Sequence, residues 1–162
     1  MTSQAPAADR DAGEAVETLE ALETAFRRVT QVAKHSIREH AAKVHPELRH
    51  AGWIVVTVVL RGTADGGPVT VGDIIAETGM DKSVVSRQLR SLNEWGLVRM
   101  SRSATDARVV VVEPTALLRE RFGLVRERQR EMYRAILANW SAEDLGKLEE
   151  LLNRLADMVT DF

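Results

Sequence analysis

Between Val69 and Thr115 the chain carries two helix-start signals, two glycine stops and two β-prone runs, in an order that few folds accommodate. Thr70-x-x-Asp73 is a capping-box pattern, in which the threonine hydroxyl and the aspartate carboxylate satisfy free amides at a helix start. Ile74, Ile75 and Thr78 sit on the turns that follow, and Gly79 can take positive φ and end the helix. Asp81 is placed to cap a second helix running from Lys82 to Trp95, which Gly96 stops. Beyond it, Leu97 to Met100 and Val109 to Val112 are β-prone, and the polar residues between them resist burial, so this part reads as a hairpin. A capped helix, a short turn, a second helix and a hairpin make a winged helix-turn-helix.

The second helix divides into two faces when its residues are set about 100° apart. Val85, Leu89 and Leu92 fall on a side to be buried. Lys82, Ser83, Ser86, Arg87 and Arg90 fall on the other, a mixture of cations and hydroxyls suited to phosphate oxygens and base edges in a DNA major groove. An ordinary solvated face interleaves acids with bases, whereas Asp81 and Glu94 stand only near the ends here. The hairpin tip reads as carrying Arg99, Arg102 and Arg108, and an arginine so placed suits the narrow, electronegative minor groove.

The residues Lys82-Ser83-x-Val85-Ser86-Arg87, then Leu92-x-x-x-Gly96-Leu97-Val98, then Asp106-x-Arg108 resemble the MarR family of transcriptional regulators. The resemblance runs from about Pro68 to Thr115 and implies that Arg108 reaches into a minor groove while Asp106 braces the wing by pairing with basic neighbours. It also implies a two-fold dimer on an inverted-repeat operator, and a repressor released by a small, often aromatic and anionic effector. The effector's cleft is expected near His35, Arg38, Trp53 and Tyr133. One departure stands out: the wing is left through Val112-Glu113-Pro114-Thr115, and because proline cannot donate to a ladder the strand is expected to end by Glu113. Thr115 is then free to cap the next helix.

With 162 residues, 44% of them apolar and 28% charged, the chain can build a substantial core. A net charge of −2 suits a DNA binder only because the charge is unevenly placed. Asp9, Asp11, Glu14, Glu17, Glu20 and Glu23 face Arg10 alone near the start, and the last helix is similarly acidic, whereas Lys82 to Arg108 is basic. No apolar run is long enough to cross a bilayer and the first residues lack a signal-peptide core, so a cytoplasmic protein is expected. There is no cysteine, which removes disulfides, thiolate metal sites and thiol-based redox sensing.

The flanks read as helices. Residues 1–13 lack periodicity and are expected to be disordered; 14–45 form an N-terminal helix with an apolar stripe at Leu19, Leu22, Phe26, Val29, Ala33 and Ile37. Residues 114–162 form two more, one with a stripe from Leu118 to Trp140 and one opened by the capping box Ser141-x-x-Asp144. A small core spanning 46–113 cannot cover stripes of this length, so the terminal helices are expected to dimerise. The predicted fold class is therefore mainly α with a small β-wing: a winged helix-turn-helix core flanked by dimerisation helices.

The run from Trp53 to Leu60 has a strand's composition, but its length before Gly62, with Pro46 placed as an early helix residue, points to a helix. Pro68 to Thr70 then reads as a third strand beside the wing. His35, His40, His45 and His50 recur every fifth residue, which on a helix turns successive rings about 140° apart instead of converging them on a metal. His35 and Glu39 are correctly spaced but supply only half a site, so no metal and no cofactor is expected. No phosphate loop, His-Glu-x-x-His or nucleophile motif is present, so the chain does not read as an enzyme. The competing reading is a winged-helix module for DNA architecture or protein contacts, without ligand response.

Overall fold

The computed structural model of the protein describes residues 7–64 and 66–160. In chain order the elements are α1 (Ala7–Val44), α2 (His50–Ala64), β1 (Val69–Thr70), α3 (Val71–Thr78), α4 (Lys82–Glu94), β2 (Val98–Arg102), β3 (Val110–Pro114), α5 (Ala116–Leu137) and α6 (Ala142–Thr160). They fall into two compact units, the first ending at Phe122 and the second beginning at Gly123. This is the mainly helical, small-winged class read from the sequence. No helix among the described residues is long and apolar enough to cross a membrane.

In the first unit the local signals act as their residue types require. Thr70 accepts from the Asp73 amide at 3.1 Å while Asp73 Oδ2 accepts from the Thr70 amide at 2.9 Å, closing the capping box of α3. These bonds to Thr70 hold the Asp73 carboxyl below its ordinary pKa, the side-chain bond contributing most. Gly79 ends α3 at φ 64°, a left-handed conformation that costs a side-chain-bearing residue but not glycine. Asp81 is the N-cap of α4, yet its side chain makes no capping bond; only its carbonyl receives the amides of Val84 and Val85. The carboxylate cap expected there is absent.

α2 is a helix although its residues prefer strands. Val55, Val56 and Val59 are fully buried, because α1, α3, α4, β1 and β3 all pack around it, and a helix enclosed on most sides carries apolar residues all round. Thr57 and Thr63 return their hydroxyls to carbonyls of the same helix, at Ile54 and Val59, so neither leaves a polar atom unpaired. Pro46 is not part of α2. It lies in a turn between α1 and α2, where Leu48 N–H donates to the His45 carbonyl, and α2 starts only at His50. Ile74, Val85, Leu89, Leu92, Leu97 and Val112 complete the core against α2.

The sheet has the order β1-β3-β2 and is antiparallel throughout, pairing Val69 with Val112 and Val98 with Pro114. β3 thus runs through Pro114, one residue beyond the expected end. Thr115 N–H donates to the Leu97 carbonyl, so Pro114 occupies the adjacent non-hydrogen-bonded position, where its nitrogen faces away from β2. On that side β1 has already ended, and no ladder donor is required of the proline. Thr115 then caps α5 by accepting from the Leu118 amide at 3.3 Å.

α1 begins at Ala7, so Ala7–Gly13, expected to be disordered, is helical; alanine-rich sequence favours this, and residues 1–6 lie outside the described part. At the other end of α1, Arg121 Nη1 donates to the Val44 carbonyl at 2.8 Å and satisfies one of the carbonyls a helix terminus leaves open. In the second unit Ser141 Oγ accepts from the Asp144 amide at 3.0 Å, as the capping pattern predicts. Trp140 is not on α5, which ends at Leu137; it sits in the turn before α6.

Candidate nucleic-acid interface

α4 is held by Val85, Leu89 and Leu92, all fully buried, which turns Lys82, Ser83, Ser86, Arg87 and Arg90 outward. All five are exposed, and none of the three cations among them makes an ion pair with another described residue. Cations left unpaired on a rigid helix are available to an external anion at little ordering cost.

The wing is braced by two bonds across its tip. Asp106 Oδ1 accepts from the backbone N–H of Arg108 at 2.8 Å, and Arg102 Nη1 donates to the Ala107 carbonyl at 3.0 Å. The brace at Asp106 is therefore to a backbone amide and not to a basic side chain as the resemblance implied. The reason is local: an aspartate two residues before an amide closes an Asx turn with its own chain. This fixes the backbone of Arg108 and leaves its guanidinium unpaired among the described residues. Arg102 is engaged in shaping the loop.

Between α4 and the wing lies a groove of about 680 Å³. Its floor is apolar, with Ile75, Leu89 and Met100, and its rim carries Lys82 and Arg90 on one side and Arg108 on the other. No aspartate or glutamate lines it. Arg99, which the sequence grouped with Arg102 and Arg108 at the tip, is not brought to this groove. β2 extends through Arg102, so Arg99 and Met100 project to opposite faces of the sheet. Arg99 lies opposite Glu113 in the ladder and lines a separate small cleft with Glu113 and Arg119.

Of the four residues expected at an effector cleft, His35, Arg38 and Trp53 belong to the first unit and do not share one groove there. His35 and Arg38 line a second groove, of about 470 Å³, with Leu48, Arg49 and His50. Trp53 is outside it, set between His40 at 6.1 Å and Phe122 at 5.2 Å between ring centroids. Burial holds the His40 pKa below its ordinary value, reinforced by Lys43 and opposed by Glu39, so this ring favours the neutral form. Tyr133 belongs to the second unit, where it is half exposed and its hydroxyl accepts from Gln129 Nε2 at 3.3 Å. Sequence reasoning missed Arg49, for which no local motif exists, and His45, whose ring stacks on Trp95 with centroids 4.1 Å apart and planes 14° from parallel. Among the described residues no group of three or more His, Asp or Glu is arranged to hold a metal ion.

Residues 55–109, from the middle of α2 through the wing tip, match the MarR family model. In Bacillus subtilis (strain 168), the uncharacterized HTH-type transcriptional regulator YdgJ is 27% identical over 93 residues, which is 57% of this chain and 57% of YdgJ. A second such regulator, YxaD, is 26% identical over 64% of this chain and 73% of its own length. Solved structures share the fold across nearly the whole chain. A MarR family protein from Bacillus stearothermophilus superposes with a TM-score of 0.73 at 20% identity, covering 89% of this chain and 96% of that one. A Staphylococcus aureus MepR mutant bound to an oligodeoxyribonucleotide gives 0.60 at 17% identity, covering 85% and 97%. The capped helix-turn-helix and the wing closed by Asp106 and Arg102 thus lie in the segment that is similar to the MarR family, residues 55–109, within a chain that shares its fold with solved MarR family proteins.

Proposed function

We propose that this protein is a homodimeric, sequence-specific DNA-binding repressor of MarR type, released from its operator by a small molecule. The groove between α4 and the wing carries the DNA-binding part of this reading. A helix inserted in a major groove and a wing arginine inserted in the adjacent minor groove must straddle one sugar-phosphate strand. The groove rimmed by Lys82, Arg90 and Arg108, with no acid in its lining, has the shape and charge for that strand. The oligodeoxyribonucleotide bound by the S. aureus MepR mutant supports the same use of the fold.

Dimerisation is supported by apolar residues that the chain does not cover itself. Leu22 and Phe26 on α1 are 51% and 48% exposed, and Leu151 and Leu152 on α6 are 58% and 53% exposed. Such stripes, left in water, favour association with a second copy. Release by an aromatic, anionic effector is the regulatory half of the reading, and Trp53 between the rings of His40 and Phe122 offers the stacking surface such a compound would use.

Sequencing of genomic fragments retained by the purified protein, with its mass measured in solution, tests the proposal. The expected operator is an inverted repeat with half-site centres about 34–36 Å apart, bound by a particle of twice the chain mass. Protection of DNA without a preferred palindrome would instead indicate an architectural protein, and a monomer on an asymmetric site would overturn the dimer.

A further inference from the structure

We infer that His45 is a positioning residue for DNA reading: its ring, stacked on Trp95 at the end of α4, sets the roll of the recognition helix so that the outward side chains meet base edges in register. The inference rests on the DNA-binding reading above and adds to it a residue that itself touches no DNA.

Both rings are mounted on backbone held by hydrogen bonds. Trp95 follows the last residue of α4 and its N–H donates to the Ser91 carbonyl at 2.9 Å, while the amides of Gly96 and Leu97 close the same helix end onto Asn93 and Leu92. The indole therefore moves with the helix. His45 follows the last residue of α1, where its N–H donates to the Ala41 carbonyl and its carbonyl accepts from Leu48 N–H, both at 2.9 Å. Its Nδ1 accepts from Glu47 N–H at 3.3 Å, which orients the imidazole, and the preceding Val44 carbonyl is held by Arg121 Nη1 at 2.8 Å. The end of α1 is thus tied to the start of α5 and, through rings with centroids 4.1 Å apart and planes 14° from parallel, to the end of α4.

The place of the stack on α4 gives it leverage. With Lys82 as origin and residues set about 100° apart, the buried Val85, Leu89 and Leu92 lie at roughly 280–340°, and Ser83, Ser86, Arg87 and Arg90 at roughly 40–140°. Trp95 and Gln88 share another flank, at roughly 220° and 240°. Gln88 meets the same elbow, since a Cβ built on the buried Gly52 would stand 3.0 Å from its Oε1. Three aliphatic side chains grip α4 along one stripe, about which a helix can roll. The two elbow contacts, about 10 Å apart along the axis, oppose that roll. A roll of about 10° carries an atom 5–6 Å from the axis through about 1 Å. Paired hydrogen bonds to a base edge need placement within about 0.5 Å, whereas a flexible lysine reaches its phosphate regardless. Loss of the stack therefore costs base discrimination before it costs attraction to DNA.

The test uses the full chain with its selected operator and an unrelated duplex of the same length. His45→Ala and His45→Gln remove the ring, the second keeping a polar side chain beside the Glu47 amide, and His45→Phe keeps a ring without the acceptor. Trp95→Leu and the His45→Ala/Trp95→Leu double variant complete a cycle, with thermal unfolding as the control for folding. The expected result is a fall of roughly tenfold in the ratio of operator to competitor affinity for His45→Ala and His45→Gln, with an unchanged salt slope on competitor DNA. His45→Phe restores the ratio, and the double variant loses no more than either single one, as one shared contact requires. If His45→Ala does not fold, the Phe and Gln variants decide alone. A wild-type ratio in the ring-less variants overturns the inference, as do equal weakening on both DNAs with lowered stability, and additive losses in the cycle. A ratio kept by Gln and lost by Phe also overturns it, since the bond to Glu47 would then be what matters. Absence of operator preference in the wild-type protein defeats the DNA-binding reading itself, and the inference with it.

Discussion

Arg108→Ala separates a wing that reads DNA from one that is merely present. The Arg108 side chain is exposed and unpaired, and the turn that holds it is closed by bonds to Asp106 Oδ1 and the Ala107 carbonyl that do not involve its guanidinium. Truncation therefore removes no burial and no structural bond, and stability is expected to stay within about 0.5 kcal/mol of wild type. Binding is another matter. Counted as one ordinary net hydrogen bond, the contact in the minor groove contributes about 1–1.5 kcal/mol, and a two-fold dimer makes it twice. The loss is thus about 2–3 kcal/mol, or roughly 30- to 150-fold in affinity. It is expected to be largest at operators with A·T-rich flanks, where the narrow groove deepens the negative potential. Fluorescence anisotropy titrations against operators with A·T-rich and G·C-rich flanks measure this. Asp106→Ala loosens the turn without removing the cation and is expected to give a smaller defect of the same kind. Wild-type affinity of the Arg108 variant for both DNAs would refute the reasoning and reduce the Asp106–Arg108 motif to a surface turn.

Three further outcomes follow from the same geometry. Arg87→Ala is expected to relax base preference within the half-site at a cost of about 1–3 kcal/mol, whereas Lys82→Ala weakens all sequences alike and flattens the salt dependence; binding-site selection with each variant shows whether the roles are reversed. Asp73→Ala breaks the capping box of α3 and is expected to lower stability by about 0.5–1 kcal/mol at neutral pH, allowing for solvent screening. Because the Asp73 pKa is depressed in the folded protein, the wild-type advantage is present above the ordinary carboxylate range and disappears as pH falls through the folded value; a gap that persists unchanged in acid unfolding curves counts against the assignment. Phe26→Glu places a charge in the exposed stripe of α1 and is expected to shift the protein toward half its dimeric mass in sedimentation, with intact helicity by circular dichroism.

Local chemistry alone determined a good part of this molecule. The α3 start at Thr70, its stop at Gly79 and the inward face of α4 depend on interactions within a few residues, and each is legible wherever the chain lies. The outward cations of α4 follow from the same periodicity. α2 was readable only through context, because Val55, Val56 and Val59 are helical on account of five elements enclosing them and not by their own preference. Tertiary structure decided what periodicity does not encode. The ladder extended β2 through Arg102 and so assigned Arg99 to the face away from the α4 groove, and the early end of β1 let Pro114 remain in β3. It separated Trp53 from His35 and Arg38, since these positions on α1 and α2 meet different neighbours once the chain turns at His45 to Arg49. It also brought Arg49 beside Arg38 and laid His45 on Trp95, juxtapositions of residues eleven and fifty positions apart that depend on how the elbow packs against α4. Sequence patterns carry the period of each element, but the rotation of one element against another is set by packing of the whole core.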